Sequence, residues 1–464
     1  MAIKSITIKL QSLITITKNL FNFKEATRSG KAKKNVIILF FLNGLNFLST
    51  VLIVPLTLKY LGTLEYGIWL TLSSLLVWFS YLDFGIGNGL RNKLSEALAN
   101  GNNETGKAFV STAYAVFSLA LLILWIIFFI IYGFINWSKV LNSPLFMNEE
   151  INKLVMVVFV LVSLQFLLKL IYSITSAYQK PAINGLISVI INFSTLLFIY
   201  ILVKAPGRSI YSLGFGTSAL PVIILITASF FLYLKYFREI APSIKSVKMY
   251  YARGLVSLGL QFFVIQFASL ILFATDNMII VQLIGPREVT IYNIAYKYFF
   301  YISIIFQMIL IPFWSAYTEA YVKNDFDWIR NSIRKILRIW IMLSIITVIM
   351  LVFSNIAYKI WVGSEIHVPF ILSAVMCIFI IISNWNNIFI YFINGTGKIR
   401  LQFYSSIFVA SINIPLSIYF AKYLKFGSAG IMMATCFCVA IGSILAPIQY
   451  KKLISVKASG IWDK

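Results

Sequence analysis

Acidic residues are scarce in this chain. Of 464 residues only 15 are Asp or Glu, against 39 Lys or Arg, with one histidine and three cysteines. Each shortage excludes a chemistry. His367 is alone and sits in a short connection, so neither a Ser–His–Asp triad nor a His-based metal site can be built. Cys377, Cys436 and Cys438 lie inside apolar runs without CxxC spacing. They read as small buried apolar residues, not as a disulfide framework or zinc site. No Gly-rich loop ends in Gly-Lys-Ser/Thr, so ATP is not expected to drive the chain directly. Nor is any polar stretch long enough to fold as a water-soluble domain, and no cofactor is expected.

What is present is apolar. Hydrophobic residues make up 60% of the chain and charged ones 12%, with a mean hydropathy of +0.88. A span needs about 20 mostly apolar residues, and the runs are too long and continuous for barrel strands. The expected fold is all-α, a polytopic membrane protein with about twelve spans. They fall near 35–58, 65–86, 108–134, 151–174, 183–203, 210–234, 254–284, 289–316, 339–361, 368–393, 402–423 and 427–449. The net charge of +24 then reflects loop asymmetry, with contact to anionic lipids, and not a nucleic-acid partner. Lys and Arg are roughly three-fold more numerous on the side of the termini, which makes that side cytoplasmic. Residues 1–34 read as a basic amphipathic arm on that surface, without the unbroken apolar core of a cleavable signal. The expected divisions are this arm, a lobe over 35–234, a cytoplasmic linker over 235–253, a second lobe over 254–450 and a tail over 451–464.

The halves repeat. Gly62-Thr63-Leu64-Glu65 follows the first span and Gly285-Pro286-Arg287-Glu288 the seventh, an offset of 223 residues. The same offset lays Ser95 on Thr318, Glu96 on Glu319, Ala97 on Ala320 and Lys107 on Arg330. With six spans per half the repeat is parallel. It implies two six-helix lobes related by a pseudo-two-fold along the membrane normal, and alternating access.

Polar residues at membrane depth carry the functional expectation, because an ionisable group there costs about 2.5–3.5 kcal/mol. Asp276 and Lys297 flank the turn at Gly285 and lie about 13–18 Å below it. They are expected to face one another as a charge pair lining a transport cavity, or as a structural pair between helices. Asn43 and Asn46 share a face of the first span, and the repeat lays them on Gln266 and Ser269, with Gln261 nearby. Gln307, Trp385, Asn386 and Asn387 extend the candidate cavity, as amides and an aromatic suited to sugars. Asp83, Arg91, Glu96, Glu319 and Arg330 are candidate cytoplasmic gate residues. The expected pairs are Arg91 with Glu96 and Glu319 with Arg330, set against ordinary solvated loop charge.

Three regions resemble a known family. Pro55-Leu56-Thr57-Leu58-Lys59-Tyr60-Leu61-Gly62-Thr63-Leu64-Glu65-Tyr66-Gly67-Ile68-Trp69 looks like the first hairpin of polysaccharide repeat-unit flippases, and Tyr81-Leu82-Asp83-Phe84-Gly85-Ile86-Gly87-Asn88-Gly89-Leu90-Arg91 is similar to the end of their second span. These are the O-antigen or capsule (Wzx-type) exporters of the multidrug/oligosaccharidyl-lipid/polysaccharide (MOP) superfamily. Asp276-Asn277-Met278-Ile279-Ile280-Val281 with Tyr292-Asn293-Ile294-Ala295 is similar to their seventh and eighth spans. The resemblance implies a non-enzymatic flippase of the bacterial cytoplasmic membrane. Its cargo would be an undecaprenyl-pyrophosphate-linked oligosaccharide, its coupling ion H+ or Na+, and its partners the polysaccharide polymerase and chain-length machinery. A drug exporter of the same superfamily and a membrane-integral glycan polymerase or ligase stand as alternatives, as does a channel or passive scramblase.

Overall fold

The computed structural model describes residues 28–62, 65–66, 68–69, 72, 85–140, 144–362 and 367–464. Most of the expected amphipathic arm, most of the second span, and Asp83 lie outside the described residues. The helices are α1 (Arg28–Leu61), α2 (Ile86–Ala99), α3 (Asn103–Tyr132), α4 (Asn148–Leu168), α5 (Leu170–Ala177), α6 (Pro181–Lys204) and α7 (Ile210–Lys235). They continue with α8 (Met249–Leu283), α9 (Pro286–Val322), α10 (Phe326–Val352), α11 (Ser354–Val362), α12 (Phe370–Thr396), α13 (Arg400–Ile418) and α14 (Gly427–Ile454). Among the described residues eleven segments are long and apolar enough to cross a membrane. The protein is all-helical and polytopic.

Local signals explain where the helices start and stop. Asn102 accepts from the Thr105 N–H at 2.9 Å. Ser209 accepts from Ser212 at 3.0 Å, and Asp325 from Trp328 at 3.2 Å. Each side chain satisfies an otherwise orphaned backbone donor in a first turn. Pro181 opens α6, where its fixed φ and missing N–H cost nothing. Large apolar residues such as Ile126, Ile130 and Phe230 are exposed, an arrangement that water would penalise and lipid tails favour.

The chain divides into two compact units, Met1–Gly259 and Leu260–Lys464. In the first, Leu90, Leu94, Ile171, Ile174 and Leu225 share one core, and Ile151, Leu154, Val158 and Leu213 another. The connection after α7 is strapped to α3. The Ser111 hydroxyl accepts from the Ser243 N–H at 3.0 Å, and the Thr112 hydroxyl accepts from the Lys248 N–H at 3.0 Å. In the second unit, α12 packs against α9 through Gly395. A Cβ there would stand 2.7 Å from the Trp314 carbonyl oxygen. The Thr318 hydroxyl donates to the Gly395 carbonyl at 2.7 Å. The segment Gly460–Asp463 folds back on this unit. Lys398 Nζ meets the Asp463 carboxylate at 3.3 Å, and Lys452 Nζ lies 3.9 Å above the Trp462 ring.

The repeat has a structural counterpart. Gly62 and Gly285 both adopt positive φ, 79° and 129°, a backbone that side chains disfavour. After each comes a carboxylate. In the second unit Glu288 accepts from the Ser428 hydroxyl at 2.5 Å, in the first turn of α14. In the first unit Glu65 lies near Glu150 and Arg208, and Glu150 accepts from Ser209 at 2.8 Å, the residue that caps α7.

The ninth span is displaced from its expected place. The apolar run suggests 339–361, but α10 covers Phe326–Val352 and a separate short helix follows. Ile329, Ile333 and Ile336 bury one face of the leading turns while Arg330, Arg334, Lys335 and Arg338 occupy others. A helix of this kind extends into water without losing its packing. The expected loop 317–338 is therefore two helix ends joined by a tight turn.

Candidate functional site

The second unit encloses a cavity of about 350 Å³, within the range of small-molecule sites. Helical periodicity builds its walls. Tyr296, Phe300, Ser303 and Gln307 recur at four, three and four residues on α9, so they share one face. Phe379, Ser383, Asn386 and Asn387 do the same on α12, and Gln402, Ser405 and Ser406 on α13. None of the described lining residues is Asp, Glu, Lys, Arg or His. The described lining is polar and uncharged, with an aromatic wall at Tyr296 and Phe300, whose rings stack at 5.0 Å, and the Asp276 carboxyl lies close enough to Tyr296 and Cys438 to act on them electrostatically.

Several polar atoms at this cavity have no hydrogen-bond partner. They are the Ser303 hydroxyl, Asn386 Oδ1 and Gln402 Oε1. A buried acceptor left unpaired costs about 1–3 kcal/mol, so such atoms mark places prepared for donors that arrive with a ligand or water. Gly442 on α14 makes room for one of them, because a Cβ there would meet the Asn386 amide at 3.2 Å.

The expected charge pair does not form. Asp276 is buried at 2% exposure and accepts from the Tyr292 hydroxyl at 2.5 Å, leaving Oδ1 unpartnered. Lys297 is exposed. The helix geometry gives the reason: Lys297 follows Tyr292 by five residues, about 140° around α9. If Tyr292 points at Asp276, the lysine must point away. It lies instead beside a polar stripe, where Asn293 donates to Asn277 Oδ1 at 2.8 Å. A lysine about 18 Å below the Gly285 turn is costly against hydrocarbon.

Of the other expected cavity residues, Gln307, Asn386 and Asn387 do line it. Trp385 does not; its indole N–H donates to the Ser443 carbonyl at 3.1 Å and its ring packs on Trp340 at 5.0 Å. It braces α12 against α14. Gln261 and Gln266 are half-buried on α8 and are not among the lining residues, whereas Ser269 is. Asn43 donates to the Leu39 carbonyl of its own helix at 2.9 Å. Asn46 accepts from Asn192 at 2.8 Å and ties α1 to α6 in the first unit. The gate residues make local bonds. Glu96 pairs with Lys93 at 2.9 Å, Glu319 with Lys323 at 2.8 Å and Arg330 with Asp327 at 2.8 Å. The expected Glu319–Arg330 pair gives way to partners three or four residues along one helix, which are the nearest available. Arg91 is half-buried on α2.

The reading from sequence passed over Tyr292, Ser303, Gln402, Ser405 and Ser406. Their signal was present as polar residues at helical spacing on single faces of α9 and α13, but hydroxyls and lone amides in apolar runs attract less notice than charges.

Comparison with known proteins agrees with this architecture. Residues 262–419 match the family model MatE. The chain is 27% identical over 286 residues to a Salmonella typhimurium protein named "Putative O-antigen transporter", covering 60% of this chain and 63% of that protein, so the match spans less than two thirds of its length. It is 23% identical over 406 residues to a Yersinia pseudotuberculosis protein named "Putative O-antigen export protein", covering 86% of this chain and 89% of the other. Among solved structures, an outward-facing multidrug resistance MATE family transporter of the MOP superfamily superposes with a TM-score of 0.74. It covers 92% of this chain and 96% of the other, at 12% identity, a likeness of fold. With an all-helical polytopic fold, a MatE match over residues 262–419 and relatives that carry transporter names, the chain is similar to the membrane transporters of the MOP superfamily.

Proposed function

We propose that this transporter moves an undecaprenyl-pyrophosphate-linked oligosaccharide repeat unit from the inner to the outer leaflet of a bacterial cytoplasmic membrane. It does so by alternating access, with both termini cytoplasmic. The observation that carries the reading is the cavity walled by amides, hydroxyls and aromatic rings. Sugars are recognised by such mixtures, whereas a buried cationic drug needs a carboxylate, and none of the described lining residues is one. Lys297, exposed at membrane depth beside Asn277 and Asn293, supplies a cation for the pyrophosphate. Asp276, buried with one oxygen free, is the group that takes the coupling proton or sodium ion. The names of the Salmonella and Yersinia relatives point to the same cargo class. A polysaccharide polymerase and chain-length machinery would receive the product.

Complementation tests this. In a host lacking its own flippase, the wild-type chain restores surface polysaccharide. Lys297→Ala and Asp276→Ala each abolish it while the protein stays in the membrane. Normal polysaccharide in both variants would refute the roles given to the two residues. Drug resistance without polysaccharide would refute the cargo.

A further inference from the structure

We infer that the cavity of the second unit seats one uncharged sugar ring of the cargo, and that the carrier's phosphates are held outside it. The inference rests on the function proposed above and specifies which part of the cargo enters which place. Among the lining residues, Asn386, Gln402 and Ser303 each carry a buried polar atom without a hydrogen-bond partner. Sugar hydroxyls are the donors that satisfy such atoms. Tyr296 and Phe300 give an apolar wall for the C–H face of a pyranose. No cation among the described residues lines the cavity, so a phosphate, uronate or other anion would sit there without a counter-charge, an arrangement that folded proteins avoid.

Lys297, exposed at this depth, is turned out of the cavity. Tyr296, Phe300, Ser303 and Gln307 centre on one face of α9, and Asn293, Lys297 and Tyr301 on another about a quarter-turn away. The charged and neutral parts of a lipid-linked glycan are thereby given different surfaces of the same helix. A selectivity follows: repeat units whose inserted sugar is neutral are accepted, and those with an acidic sugar at that position are rejected.

The experiment uses purified full-length protein. Cys377, Cys436 and Cys438 are replaced by Ala and Ser406→Cys is introduced as a reporter in the cavity wall. Reaction with a small thiosulfonate is timed with and without N-acetylglucosamine, glucuronic acid or glucose 1-phosphate. N-acetylglucosamine is expected to slow labelling about five-fold or more, and the two anions to leave it unchanged. Asn386→Leu and Gln402→Leu should each remove the protection. Because the substituted chain can fail to fold, thermal stabilisation of the unmodified protein by the same compounds is measured alongside, with the same order expected. Protection or stabilisation by glucuronic acid equal to that by N-acetylglucosamine would overturn the inference, as would no response to any sugar in both measurements. Complementation separates the two readings. A chain that restores polysaccharide but shows no sugar response retains the proposed function and loses this subsite. A chain that binds N-acetylglucosamine selectively but restores nothing keeps the subsite and loses the cargo.

Discussion

Gly395 and Gly442 both lie inside membrane helices of the second unit, and the same substitution should act on them in opposite ways. At Gly395 an added methyl would stand 2.7 Å from the Trp314 carbonyl oxygen and 3.1 Å from Tyr317 Cβ. The first neighbour is backbone and cannot rotate aside, so α9 and α12 must separate. Overpacking of this kind costs about 1–3 kcal/mol, and the Thr318–Gly395 hydrogen bond adds about 1 kcal/mol if it breaks. Against this, Ala in place of Gly in a helix gains about 0.5–1 kcal/mol. Gly395→Ala should therefore destabilise by about 1–3 kcal/mol. At Gly442 the added methyl meets only the Asn386 amide, at 3.2 and 3.4 Å. A side chain can yield by a few tenths of an ångström, so Gly442→Ala should be neutral or stabilising by up to about 1 kcal/mol. It moves the amide that lines the cavity, however, so polysaccharide export should fall while stability holds. Unfolding in mixed micelles by SDS titration, followed by tryptophan fluorescence, reads the stabilities; surface polysaccharide reads function. Gly395→Ala as stable as Gly442→Ala would refute the packing argument. Full export by a folded Gly442→Ala would refute the role of Asn386.

Two further outcomes follow from the geometry. Tyr292→Phe removes the hydroxyl that donates to Asp276 Oδ2 and should reduce export with the protein still in the membrane, while Trp385→Phe, which loses a structural bond to Ser443, should lower stability by about 1 kcal/mol and spare export; equal export in the two variants would contradict the assignment. Trp462→Ala removes the ring beneath Lys452, worth about 0.5–1 kcal/mol, and should speed tryptic cleavage at Lys457; an unchanged cleavage rate would mean that the ring does not hold the segment down.

Much of the fold was legible because span length and apolarity are physical requirements of a bilayer. The turn at Gly285 and the carboxylate at Glu288 could be placed from the repeat alone. The ninth span was misplaced because hydropathy favours the most apolar window, whereas α10 begins in an amphipathic stretch whose buried face is narrow, Ile329, Ser332, Ile333 and Ile336. The candidate site was legible by residue type and not by direction. Gln307, Asn386 and Asn387 were found because amides are rare in apolar runs. Asp276 and Lys297 were paired by depth, but depth leaves the angle around each helix open. The 2.5 Å bond from Tyr292 to Asp276 settles that angle, and a phenol in an aromatic-rich run gives no advance notice of it.

The arrangement on α9 has a consequence for how substrate preference can change. The stretch of α9 before its internal Pro312 carries the cavity face, the tyrosine that holds Asp276, and the lysine on the adjoining surface. Such a stretch cannot be re-aimed for one task and left in place for the others. A twist that widens the sugar seat also swings the lysine and strains the Tyr292 bond. Adaptation to a new repeat unit should therefore proceed through α12 and α13, whose amides and serines can be exchanged one at a time, while α9 acts as the fixed common axle.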